Sequence, residues 1–108
     1  MCISGAEGSC ATYINGTYDP EGGLTEGMPV YRKRGNGDKI WLEYWVPTMR
    51  WQVKPTANRG TDVCWAQLHS DPPCLPEDTR EAVWKVYDGT KWGDQSGAAL
   101  TLVSSSQC

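Results

Sequence analysis

Short alternating segments, interrupted every few residues by glycine, proline, asparagine or aspartate, run through almost the whole of this chain, and helical periodicity is nearly absent. A chain punctuated in this way cannot lay down a long amphipathic helix and has to fold as strands and turns. Its 108 residues suffice for one core and not for two. The expectation is a single β-rich domain over residues 1–108. Its fold class is all-β, a small antiparallel meander of hairpins, closed as a sandwich or a partly open barrel and carrying a long proline-rich loop.

Local signals divide the chain further. Asn15-Gly16 lies between the β-prone residues 12–14 and 17–18, a pattern that predicts a tight hairpin because both turn positions need positive φ. Residues 29–34, 39–45 and 50–54 read as three strands, joined by a Gly35-Asn36-Gly37-Asp38 turn and by Val46-Pro47-Thr48-Met49. Together they predict an antiparallel meander. Alternation places Ile40, Leu42 and Tyr44 on one face of the central strand and Trp41, Glu43 and Trp45 on the other. In the returning strand Trp51 and Val53 oppose Gln52 and Lys54. Both faces carry aromatics, so both are expected to be covered, the second by the rest of the chain or by a partner. Residues 55–62 read as a loop and 63–68 as a strand. The prolines in 71–76 exclude helix and central strand, and 77–81 is expected to make one helical turn. A hairpin turns on Asp88-Gly89, and 100–103 is the last strand.

The aromatic content bears on function. Six tryptophans and five tyrosines accompany no phenylalanine, so every Trp and Tyr ring carries an N–H or O–H handle suited to half-wet positions. With no Phe to fill the core, four or more of the tryptophans are expected to be largely buried. The net charge of -3 and pI of about 5.0 argue against a nucleic-acid binder. Basic residues nevertheless gather in the middle third, at Arg32, Lys33, Arg34, Lys39, Arg50, Lys54 and Arg59, while acidic residues dominate both ends. No apolar run is long enough to span a bilayer. The first five residues lack the basic start and apolar stretch of a signal peptide, which leaves plastid and secretory compartments both open.

Five cysteines, Cys2, Cys10, Cys64, Cys74 and Cys108, include no C-x-x-C pair, and His69 is the sole histidine, so no metal site is expected. In an oxidising compartment Cys2 with Cys10, and Cys64 with Cys74, would each close a short loop; in a reducing one they are small apolar residues. Catalytic patterns are missing. His69, Ser70 and Asp71 are adjacent in sequence, whereas a triad is assembled from residues that converge in space. Glu77, Asp78 and Glu81 lack the facing geometry of a glycosidase pair, and Gly22-Gly23 lacks the strand–helix setting of a phosphate loop. The expectation is therefore a chain that is not an enzyme and needs no cofactor. Asn15-Gly16-Thr17 also matches a glycosylation acceptor, which its turn chemistry already accounts for.

Asn15-Gly16-Thr17-Tyr18-Asp19-Pro20, Pro29-Val30-Tyr31, Trp41-Leu42-Glu43-Tyr44, Trp51-Gln52-Val53-Lys54-Pro55 and Trp84-Lys85-Val86 follow one another in an order that resembles a module of about this length. That module recurs, often in tandem, in large proteins of algae and other protists. The likeness covers roughly residues 3–103. It implies a repeatable β-rich interaction unit with no established activity and no catalytic residues to carry over. For an algal source it points to an accessory subunit of an organellar assembly such as a photosynthetic complex. A protein partner is expected to dock on Tyr31, Arg32, Arg34, Trp41 and Trp45 of the meander. The alternative is a carbohydrate-binding module whose exposed Trp and Tyr rings stack on sugars. Rings lying coplanar in a groove lined with Asp, Asn or Gln favour sugar; rings in an apolar patch beside arginines favour docking.

Overall fold

The computed structural model describes residues 2–25, 27–35, 39–70, 83–87, 89–95 and 99–101. Nine strands form one antiparallel sheet: β1 (Cys2–Ser4), β2 (Gly16–Thr25), β3 (Met28–Lys33), β4 (Ile40–Trp45), β5 (Arg50–Pro55), β6 (Ala66–His69), β7 (Trp84–Tyr87), β8 (Trp92–Gln95) and β9 (Ala99–Thr101). A four-residue helix, α1 (Ala11–Ile14), and two 3-10 turns at Val46–Thr48 and Thr56–Asn58 complete the described elements. The strand order is β8-β7-β6-β5-β4-β3-β2-β1-β9. Every strand from β1 to β8 thus pairs with its neighbours in sequence, and only β9 returns, to lie antiparallel to β1.

That return dictates the shape. Only three residues separate β8 from β9, which stand at opposite ends of the order. Nine strands laid flat at about 4.8 Å spacing would put those ends roughly 38 Å apart, and so short a link reaches about 14 Å at most. The sheet must curl until its edges approach, and the nearly equal extents of 31 × 31 × 29 Å agree. The result is a partly open barrel and not two stacked sheets. Across the seam, the Gln95 side chain makes a two-way clasp with the Glu7 backbone: Oε1 accepts from the Glu7 N–H at 2.8 Å, and Nε2 donates to its carbonyl at 3.0 Å.

Alternation fills the interior. Ile40, Leu42 and Tyr44 of β4, Trp51 and Val53 of β5, Ala66 and Leu68 of β6, and Trp84 and Val86 of β7 form one buried cluster with Ile3, Ile14, Tyr18 and Tyr31. Trp51 sits edge-on to Tyr44 at 5.4 Å. Two of the buried phenols donate to backbone, Tyr18 to the Ile14 carbonyl and Tyr44 to that of Ser70, each at 2.7 Å. The predicted meander is present as β3–β4–β5, with Tyr31 opposite Leu42 and Leu42 opposite Val53. The hairpin expected to turn on Asp88-Gly89 is present as the pairing of β7 with β8, Tyr87 opposite Trp92, while Asp88 lies outside the described residues.

Three expectations need correction. Asn15-Gly16 is not a hairpin turn: residues 11–14 are helical, Asn15 is the extended residue that ends α1, and β2 begins at Gly16. Tertiary contacts explain the dipeptide. The Asn15 amide pairs with both backbone groups of Ala6 at 3.0 Å. Gly16 has φ 150°, and a Cβ there would come within 2.5 Å of Lys33 Cε. Lys33 is itself buried, its ammonium donating to the carbonyls of Thr12 (2.7 Å) and Tyr13 (3.0 Å) in the helical turn. Burial pushes the Lys33 ammonium below its usual pKa.

The tryptophan expectation is met only in a weaker form. Trp51 and Trp84 are buried; Trp41, Trp45 and Trp65 are half-buried, and Trp92 is exposed. The bore of so small a barrel is already full of tyrosines and aliphatic residues, and the other rings lie on its outside and ends. Nor do the suggested disulfide pairings form. Cys2 is disulfide-bonded, but Cys10 and Cys64 are free and buried. Cys10 packs at the start of α1 in the core, and burial pushes the Cys64 thiol up to about 12. The expectations for the turn at 36–38, the loop at 71–76, the helical turn at 77–81, strand residues 102–103, and Cys74 and Cys108 fall outside the described residues.

Candidate interaction surface

The outer face of the meander is ordered by strand register. Asp19, Arg32, Trp41 and Lys54 align across β2–β5. Glu43, Gln52, Gln67, Lys85 and Asp94 align across β4–β8. Trp45, Arg50 and His69 align across β4–β6. A sheet exterior would ordinarily leave such charges in water. Here the chain after β5 folds back over them, so part of the second cover is the chain itself. Glu43 and Lys54 are buried (side chains 2% and 0% exposed) and paired at 3.2 Å. The Glu43 carboxylate also accepts from Arg59 Nε at 2.9 Å and the Gly60 N–H at 3.0 Å. Lys54 Nζ donates to the Thr61 carbonyl, and Gln52 Nε2 to Asp62 Oδ1, each at 2.7 Å. Burial alone would raise the Glu43 pKa, but the Gly60 and Arg59 hydrogen bonds and the Lys54 charge outweigh it and hold the carboxyl below its ordinary value.

This network fixes the rings above it. Trp41 donates from Nε1 to Thr56 Oγ1 at 2.7 Å, with the guanidinium carbons of Arg59 and Arg32 at 4.2 and 5.7 Å from its ring. Trp45 has Lys54 Nζ 5.3 Å from its ring centre. Both rings are held in place while remaining half exposed. Val46 and Met49, in the turn beside Trp45, are 40% and 39% exposed. Arg50, next to Trp45 on its rung, makes no ion pair or side-chain hydrogen bond among the described residues.

The residues predicted from sequence thus separate. Trp41, Trp45 and Arg32 share this surface, although Arg32 is also bridged to Glu21 at 3.1 Å. Arg34 is exposed and doubly bonded to Asp19, Nε to Oδ2 at 2.9 Å and Nη2 to Oδ1 at 2.7 Å, an arrangement that lowers the Asp19 pKa through the Arg34 hydrogen bond. Tyr31 stands apart. It faces the core, 6% exposed, with its ring 6.1 Å from Trp51, and is unavailable to a partner. Val46, Met49 and Arg50 were not foreseen as part of the surface. Extending the alternation of β5 backwards by two residues from Gln52 would have placed Arg50 there.

A separate groove of about 320 Å³ is lined by Asp62, Val63, Cys64, Tyr87 and Trp92. Its rings lie 5.6 Å apart and tilted by 52°. His69 is exposed while Ser70 beside it is buried. Among the described residues no group of three His, Cys, Asp or Glu could hold a metal ion, and no helix is long and apolar enough to cross a membrane. No family model, curated protein or solved structure matches the chain.

Proposed function

We propose that this chain is a non-catalytic protein-interaction module, an accessory subunit that docks through the strip formed by Trp41, Trp45, Val46 and Met49 with Arg32, Arg50 and Arg59. The observation that carries the reading is that two tryptophans on the outer face are immobilised by cations and a hydrogen bond yet left half exposed. Rigid Trp beside Arg and Met is the composition of interface hot spots, because a ring already fixed loses little entropy on contact. Arginines beside the rings favour docking over sugar by the criterion set out from sequence. The disulfide at Cys2 supports an oxidising compartment.

Native mass spectrometry of the protein isolated from its source tests this. A protein partner is expected to copurify, and the Trp41→Ala/Trp45→Ala double variant should bind that partner at least about 30-fold more weakly, as loss of a hot spot does. Recovery of a free monomer overturns the reading. One observation favours a second reading, carbohydrate binding: Trp92 is 42% exposed beside Tyr87, in a groove that also holds the Asp62 carboxylate. The tilt between its rings counts against a flat sugar platform. A glycan array read with native protein and with Trp92→Ala decides it, and silence across all sugars removes this reading.

A further inference from the structure

A second cleft lies at the other end of β4, some 17 Å from Trp45 at about 3.3 Å per residue. Its volume is about 560 Å³, within the range of roughly 300–1,000 Å³ typical of small-molecule sites, which favour the mouths of β-barrels. Ile40 and Pro55, paired at the ends of β4 and β5, supply apolar lining. Thr12 and Tyr13 enter from α1, Trp65 from the chain before β6, and Lys39 from the position just before β4.

Two features separate this cleft from a packing gap. Tyr13 and Trp65 are stacked, centroids 4.7 Å apart and planes within 16°, yet Tyr13 is 45% exposed. A ring stacked on one face and open to solvent leaves its other face for a third ring. The wall is also stiff, because α1 is tied by Lys33 at the Thr12 and Tyr13 carbonyls and by Asn15 at Ala6. The second feature is charge. Among the described residues Lys39 is the one charged group lining the cleft, and its exposed ammonium has no ion pair or hydrogen bond there. Its backbone is anchored by the Thr56 N–H, which donates to the Lys39 carbonyl at 3.0 Å.

We propose that this cleft binds a small planar anion, an aromatic or conjugated carboxylate, with its ring against the Tyr13–Trp65 pair and its carboxylate on Lys39. A stacking wall selects flatness, and an exposed cation at the rim, without a partner among the described residues, selects one negative group. The site is independent of the docking strip, and either can fail without the other.

A nitrogen-15 NMR titration of the intact, oxidised protein tests it with three probes: 1-naphthoate, neutral 1-naphthalenemethanol and saturated cyclohexanecarboxylate. Naphthoate should saturate and shift the Trp65 indole and the Tyr13 and Lys39 amides. The alcohol should bind about fivefold more weakly for want of the ion pair, and the saturated acid about tenfold more weakly for want of stacking. Lys39→Gln, an exposed change that leaves the fold intact, should bring naphthoate down to the affinity of the alcohol and leave the alcohol unchanged. Equal binding of naphthoate and alcohol overturns the anionic specificity, and equal binding of the two acids overturns the stacking. Absence of saturable shifts at millimolar naphthoate, or shifts confined to Trp41, Trp45 or Trp92, overturns the site.

Discussion

Removing the Glu43 carboxylate should damage this protein more than removing its ammonium partner as well. Glu43→Leu leaves the Lys54 ammonium fully buried, its remaining hydrogen bond to the Thr61 carbonyl and its contact with the Trp45 ring being uncharged. Breaking a buried pair from one side costs about 3–5 kcal/mol. Arg59, one-third exposed, can swing into water and should add little. The Gly60 N–H also loses its acceptor, at about 1 kcal/mol. At roughly 4–8 °C per kcal/mol for a domain near this size, the midpoint should fall by about 15 °C or more. Glu43→Leu/Lys54→Met removes both charges and should come within about 2 kcal/mol of the parent. Urea unfolding followed by tryptophan fluorescence at neutral pH, with the disulfide intact, measures all three proteins. A second signature is acid dependence. The folded Glu43 carboxyl titrates below its ordinary value of 4.5, so its contribution is complete above that pH and lost as pH falls through the lower folded value. As pH falls below about 4.5 the parent should lose stability that Glu43→Leu has already lost. A single variant costing under about 1 kcal/mol, or a double variant as costly as two independent losses, would refute the buried-pair argument.

Other expectations follow from the same contacts. Gly16→Ala sets a methyl group against the Lys33 chain and should cost about 1–3 kcal/mol by urea unfolding; a cost near zero would mean Lys33 is not pinned by α1. Gln95→Ala opens the seam clasp and should cost about 1 kcal/mol, with hydrogen exchange at the Glu7 amide rising more than in the β4–β5 ladder. The Cys64 thiol, buried and raised to about 12, should resist iodoacetamide at mildly alkaline pH in the native protein and react in urea, as read by peptide mapping; rapid native labelling would contradict its burial.

What could be read from sequence was set by range. Alternation and turn residues are local, and they sufficed for the β3–β4–β5 meander, the β7–β8 hairpin and the division of β4 into an Ile40–Leu42–Tyr44 face and a Trp41–Trp45 face. The same reading misassigned Tyr31. Tyr31 alternates with Arg32 and Arg34 along the chain, so it cannot share their face whatever the register between β3 and β4. Asn15-Gly16 carried the strongest hairpin signal in the chain, yet its amide and missing Cβ serve Ala6 and Lys33, neither of them a neighbour in sequence. The seam clasp joins Glu7 to Gln95, and the Tyr13–Trp65 wall joins α1 to the approach to β6. Both depend on closure of the barrel, which no local pattern encodes. Net charge offered no hint of a buried carboxylate either, because interior ions are bought by folding geometry and not by composition.

The pairing of β1 with β9 brings Cys2 opposite Thr101, so the two ends of the described chain lie on neighbouring ribbons. A unit whose entrance and exit stand side by side can be spliced into a surface loop of another protein without prying that loop apart. It can also be re-opened elsewhere, its old ends joined by a short bridge, with every rung of the barrel retained. Strung along one polypeptide, copies of such a unit would hang as pendants from a common thread and need not stack as links of a rod, leaving each outer face free to meet its own partner.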